Sequence, residues 1–339
     1  MADNGGRIRG VGTGVAAAAV LLAGCGAPAL GQTTVPGKHP AILLLSSAEK
    51  GATSVMVYLP DAKDGYYRGP RFDWSGMIGK VEYKGHSFYA DWRVPQNPKG
   101  NDDAIGPAEE FGMQEPVGWS EAKVGETFLK IGVGRQKKTS DKAYEFWTNY
   151  PVVALYPFKV TGGLRWAEFR QEAPVEGGYG YAYTKRVELA ADKPVVTITH
   201  TLKNTGTLAL KTNWYSHNFT LIDGDGVGPD YEMEFGFDAK DGFKADSAAV
   251  VKQEGRKVTF LATPDGLKGS FGGGKAAENK VTVRNKKTGA GIEMTVDRDF
   301  SNMAFFAVKT AICPEPFIEL NVAPGEETTW KSQYTYLVP

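Results

Sequence analysis

From residue 41 onward, apolar positions recur at every second residue or in short blocks, and hardly ever at a helical period. In residues 195–202, Val196, Ile198, His200 and Leu202 fall on one face and Thr197, Thr199 and Thr201 on the other, which predicts a half-buried strand with His200 as a core histidine rather than a ligand. Residues 77–81 and 86–92 read as a hairpin across Tyr83-Lys84-Gly85, and residues 285–289 as the turn between strands 281–284 and 292–296. Residues 96–107, with two prolines, two glycines and Asn101-Asp102-Asp103, read as loop, and the basic run 135–138 as a solvated turn. Many strands, glycine-rich turns and no convincing helix predict an all-β chain, a large antiparallel sandwich or barrel.

The first residues follow other rules. Arg7 and Arg9 precede an apolar run over 11–23 that is short for a membrane span. This predicts a secretory signal peptide over residues 1–24. Leu22-Ala23-Gly24-Cys25 resembles the lipobox of bacterial lipoproteins, so Cys25 is expected to carry lipid. That puts the protein outside the cytoplasm, anchored to the membrane of the cell envelope at the periplasmic face or the outer membrane; cleavage after Ala27-Pro28-Ala29 would instead leave a free periplasmic protein. Residues 25–45 then read as a flexible tether and 46–339 as one β-sandwich domain. With Cys25 acylated, Cys313 has no partner and reads as a small buried hydrophobe.

Charge narrows the function classes. Lys and Arg number 39, as do Asp and Glu, and this neutrality argues against a nucleic-acid partner. Residues 269–275 have the glycine and lysine spacing of a phosphate loop, but Ala276 replaces the required hydroxyl. No Cys/His spacing suggests zinc. Residues 223–230 have the oxygen spacing of a partial calcium loop, yet lack its terminal glutamate and read as an Asp-Gly turn. No metal and no cofactor are therefore expected. Of four histidines, His217 stands out, within Thr212-Asn213-Trp214-Tyr215-Ser216-His217-Asn218-Phe219, as a candidate acid or base.

Three stretches together resemble the galactose mutarotase-like superfamily of aldose 1-epimerases and hexose-phosphate epimerases. They are Arg71-Phe72-Asp73-Trp74-Ser75-Gly76 before Tyr83-Lys84-Gly85; Asn204-Thr205-Gly206 before residues 213–219; and Ile312-Cys313-Pro314-Glu315-Pro316 before Ala323-Pro324-Gly325-Glu326 and the closing strand. The resemblance implies a large antiparallel β-supersandwich that interconverts sugar anomers, on a free monosaccharide or a glycan end. It also implies Glu315 as the catalytic carboxylate and His217 as the group that protonates the ring oxygen. Ring opening removes the C1 hydroxyl proton and delivers one to the ring oxygen, which such a pair can do. Arg71, Asp73, Trp74, Glu110 and Asn218 are the candidate sugar contacts. The second histidine usual in the family is missing from Gly106-Pro107-Ala108-Glu109-Glu110-Phe111-Gly112, which leaves Glu109 or Glu110 to take its place and admits a sugar-binding protein without turnover as the alternative.

Overall fold

Alternation becomes strand pairing over almost the whole described chain, residues 33–46 and 51–339 of a computed structural model. The apolar run, the lipobox and Cys25 lie outside the described residues. The first five strands, β1 (Thr33–Val35), β2 (Ala41–Leu45), β3 (Thr53–Tyr58), β4 (Met77–Tyr83) and β5 (His86–Ser87), form an antiparallel meander in that order. Next come β6 (Gly106–Phe111) and a three-stranded sheet of β7 (Thr127–Lys130), β8 (Gly134–Lys137) and β9 (Val152–Leu155). They are followed by β10 (Phe158–Gly163), β11 (Trp166–Glu176), β12 (Tyr179–Leu189), β13 (Val195–Asn204), β14 (Leu210–Phe219) and β15 (Tyr231–Phe235). The chain ends with β16 (Val251–Glu254), β17 (Lys257–Phe260), β18 (Asp265–Ser270), β19 (Lys280–Asn285), β20 (Gly291–Val296), β21 (Asn302–Val308), β22 (Ala311–Val322) and β23 (Glu327–Leu337). Every ladder is antiparallel, and two short 3₁₀ turns, Ala245–Ala249 and Ala276–Glu278, are the helical elements among the described residues.

A ten-stranded sheet, β10-β11-β12-β13-β23-β20-β19-β15-β17-β16, faces a five-stranded one, β18-β21-β22-β14-β6. Contacts between β14 and β23 show how they stack. Trp214 and Trp330 rings meet at 5.7 Å, and Tyr334 on β23 donates to Asn218 Oδ1 at 3.0 Å. The strand β13 keeps the predicted alternation, with Val196, Ile198, His200 and Leu202 inward and fully buried. His200 lies parallel to the Trp330 indole at 4.8 Å, inside the core. Cys313 is a fully buried thiol, as its reading as a hydrophobe required.

Three expectations are corrected. The tether begins to pair at Thr33: β1 pairs with β2, and Ile42 and Leu44 are buried in the main core. Burying each such side chain is worth about 1.5–3 kcal/mol, which together with pairing to β3 favours order in this segment. The basic run is no solvated turn either. Arg135 and Gln136 lie in β8 and are buried, and Lys138 Nζ donates to Trp119 O at 3.0 Å while resting 4.6 Å over its ring. Long basic stems pack on aromatic surface when their heads find acceptors. The first hairpin turns at Lys84-Gly85, both with positive φ, as a two-residue turn suited to strand twist. Its second strand is only His86–Ser87, because the chain then leaves the sheet and Phe88 and Tyr89 are buried in the core.

The 223–230 loop is tied down by its own carboxylates. Asp223 Oδ1 accepts from Ser87 N and Oδ2 lies 2.9 Å from His86 Nδ1; Asp225 takes Lys287 Nζ at 2.6 Å and Asn285 Nδ2 at 2.9 Å. These contacts fasten the loop to two neighbouring turns.

Candidate active site

The strand β14 is buried on both faces, so its two sets of alternate residues face different partners. Trp214, Ser216 and Asn218 face the ten-stranded sheet. Tyr215, His217 and Phe219 face the other way, with His217 stacked on Phe219 at 4.1 Å and 12°. The adjacent β22 does the same: Phe317 lies flat on Tyr215 at 4.3 Å, on the side that carries Glu315.

Register brings the two proton carriers together. Tyr215 pairs with Phe317, and the same register resumes at the Thr220–Ile312 bridge, which sets His217 opposite Glu315. His217 Nε2 and Glu315 Oε1 are 3.1 Å apart, each side chain nine-tenths buried. Their approach is off the line of a hydrogen bond, and His217 Nδ1 has no partner. Between these two register points the ladder is open, because Pro314 and Pro316 have no N–H to give. Asn218 Nδ2 donates to Pro314 O at 2.7 Å across that gap.

The surroundings set the protonation. Phe72 and Phe306 stand edge-on to His217 at 5.9 and 6.0 Å. Burial, followed by the Arg71 charge, holds the imidazole well below its usual value, so it is neutral at pH 7. Burial pushes the Glu315 carboxyl up to about 8; Arg71 and Lys268 oppose this and Glu110 adds to it. At neutral pH the pair therefore holds one transferable proton, resting on Glu315.

Beside the pair lies a buried ionic network. Arg71 Nε donates to Glu110 Oε2 at 2.8 Å, Nη2 to the Tyr215 hydroxyl at 2.6 Å, and Nη1 to Asp102. Tyr215 in turn donates to Glu110 Oε2 at 2.7 Å. Lys130 Nζ, fully buried, donates to Glu110 Oε1 at 2.7 Å and is 3.1 Å from Tyr144 Oη. Burial alone would raise the Glu110 carboxyl, but Lys130 and Arg71 outweigh it and keep it ionised. The turn carrying Arg71 is held where Asp73 N donates to Glu109 O on β6, at 2.8 Å.

Of the residues singled out in the sequence, His217, Glu315, Arg71 and Glu110 converge. Three do not. Asp73 points between the sheets, bonded to Ser75 and to Tyr183 Oη and 3.8 Å from Lys185 Nζ. Trp74 is a core indole donating to Gly69 O. Asn218 lies on the far face of β14, occupied by Pro314, Ser216 and Tyr334. Each was expected to touch sugar; each is instead satisfied by buried protein groups. Between the two glutamates, Glu110 lies on the His217 side of β6, while Glu109 lies on the inter-sheet side, 2.7 Å from Lys185 and 3.2 Å from His200. Sequence reasoning missed Tyr215 and Phe219 as site residues, although period-two spacing from His217 was there to find them. It had no signal for Lys130 or Asp102. A separate cleft of about 370 Å³, lined by Glu121, Glu126, Arg135, Glu176 and Tyr179 among others, contains none of the four converging residues. Among the described residues, no group of three or more His, Cys, Asp or Glu side chains is placed to hold a metal ion.

No protein-family model matches the chain, and no curated protein matches it in sequence. Solved structures do match. An aldose epimerase homologue from C. elegans aligns over 88% of this chain and 99% of its own, with TM-score 0.55 at 10% identity. A galactose mutarotase related enzyme from Lactobacillus acidophilus covers 90% and 97%, with TM-score 0.51 at 12% identity. A galactose mutarotase-like protein from Clostridium acetobutylicum covers 91% and 98%, with TM-score 0.52 at 11% identity. At such identities the likeness speaks for architecture alone, and on that ground the chain has the galactose mutarotase-like β-sandwich fold.

Proposed function

We propose that the protein opens and recloses the ring of an aldose, as an aldose 1-epimerase does, at His217 and Glu315. The observation that carries the reading is the 3.1 Å approach of these two groups from strands far apart along the chain. With the proton on Glu315 and His217 neutral, the carboxyl gives its proton to the ring oxygen while the imidazole takes one from the C1 hydroxyl. The bond from C1 to the ring oxygen breaks and a carbonyl forms at C1. Rotation about C1–C2 and return of both protons recloses the ring on the other face. Each transfer contributes about 10²–10⁴-fold when well placed. This order of protonation is the reverse of the roles the sequence resemblance implies, because burial favours the neutral form of both groups. A sugar must separate the pair to react, so its binding opens the present contact. The fold shared with solved epimerase homologues supports the reading.

Polarimetry on fresh α-D-glucose and α-D-galactose tests it. Acceleration over buffer that drops at least a hundredfold in Glu315→Gln and in His217→Asn is expected; an equal rate in wild type and Glu315→Gln would reject the mechanism. Sugar binding without turnover is the second reading, favoured by the stretch 106–112, where Glu110 stands in place of the family's second histidine and is held ionised by Lys130 and Arg71, with no proton to donate. It requires saturable binding that survives His217→Ala. We further propose that the protein works outside the cytoplasm on a lipid anchor at Cys25; the apolar run 11–23 leading into Leu22-Ala23-Gly24-Cys25 supports this.

A further inference from the structure

The guanidinium of Arg71 is held between two aromatic rings, 4.6 Å from the Phe72 centroid and 4.3 Å from that of Phe146. The residue after Phe146 is Trp147, the one exposed tryptophan among the described residues, at 59%. It is neither loose nor isolated. Its ring meets Phe146 edge-on at 4.8 Å and 76°, and Asn101 Nδ2 donates to Phe146 O at 3.1 Å. Asn101 also precedes Asp102, which takes Arg71 Nη1. The indole therefore stands at the surface, one residue away from the ring that covers Arg71. Across Asp102 the rim is polar: Arg93, half exposed, is 3.2 Å from Asp103 and rests 4.2 Å over Trp92, which stacks on Phe219 and so on His217.

A flat apolar face with a polar edge, beside charged groups, suits a pyranose ring, which presents axial C–H groups on one face and hydroxyls around its edge. Anomer interconversion requires a free C1 hydroxyl, so only a reducing end can occupy the His217–Glu315 pair. Any further sugar is linked through a carbon other than C1 of that unit and extends away from the pair. We propose that Trp147 forms an outer subsite for the next ring, so that the substrate class is the reducing end of an oligosaccharide rather than a free monosaccharide. This rests on the ring-opening reading of His217 and Glu315.

The test compares α-D-glucose, maltose and maltotriose, by polarimetry for turnover and by calorimetry for binding, in wild type, Trp147→Ala and Trp147→Phe. In the wild type, kcat/KM and affinity should rise about three- to tenfold from one ring to three. Trp147→Ala should bring the trisaccharide down to the monosaccharide value, and Trp147→Phe should keep part of the gain. Equal values along the series, no binding of any of the three sugars, or a gain that survives Trp147→Ala, overturn the subsite. Binding that grows with length and is lost in Trp147→Ala, with no turnover of any sugar, supports the subsite and rejects ring opening. Turnover without length dependence rejects the subsite and leaves ring opening standing.

Discussion

Glu315 keeps its proton because nothing around it compensates its charge fully: Arg71 and Lys268 act at a distance, and the one close partner is an imidazole that is itself neutral. Its folded value of about 8 stands above the 4.5 of an ordinary glutamate, so the folded state holds a proton that the unfolded chain releases. The contribution to stability is full below pH 4.5 and is lost as pH rises through about 8. Glu315→Gln removes the ionisation and should stabilise the protein at pH 8 by about 4 kcal/mol, with no gain at pH 4. Urea unfolding at the two pH values checks this; equal shifts at both would show that the carboxyl is not held neutral. The same proton predicts the pH–rate profile. Turnover above the buffer rate should be level near neutrality and fall above about pH 8 as Glu315 ionises. A rise through that range would restore Glu315 as the base.

At the scale of strands, two prolines make the site. Pro314 and Pro316 bracket Glu315 and deprive β22 of donors facing β14, so the ladder opens where the acid and the imidazole meet. Asn218 takes over by side chain, with bonds to Pro314 O and from Tyr334 Oη. Asn218→Ala should cost about 1–3 kcal/mol by leaving buried groups unpaired, measured by urea unfolding; an unchanged midpoint would mean that the gap needs no such bridge. The pattern of prolines around a glutamate was visible in the sequence, but its effect was not, because a missing N–H matters only once the neighbouring strand is known. For the same reason Asn218 was read as a sugar contact. Its neighbour His217 does face the site, and adjacent residues of one strand face opposite sides. Asp73 and Trp74 failed differently: a turn has no period, so nothing in Arg71-Phe72-Asp73-Trp74 tells which side chain goes inward.

Over the whole molecule, two sheets of ten and five strands bury polar clusters on different surfaces. Glu109, Lys185 and His200 lie between the sheets, while Glu110, Lys130 and Arg71 lie on the outer face of the smaller one. Removing Lys130 while Glu110 stays takes the partner from Glu110 Oε1 in a buried ionic network, so substitutions there would report on folding before function. The proposal of an anchored protein belongs to this scale as well. Cys25→Ser should move the protein from the membrane fraction to the soluble one on fractionation of the producing cells, and an unchanged distribution would reject a lipid at Cys25.

Period-two hydrophobicity, abundant turn glycines and the absence of helical spacing were enough to determine an all-β architecture, because burial of alternate residues is a local property of each strand. Motif order added His217, Glu315 and Arg71 as candidates for a site. Which faces those strands turned to one another, which of two adjacent glutamates met Arg71, and that a basic run was buried in β8 were decided only by tertiary structure. Register and sheet stacking arise from contacts between distant segments, and no single segment carries them.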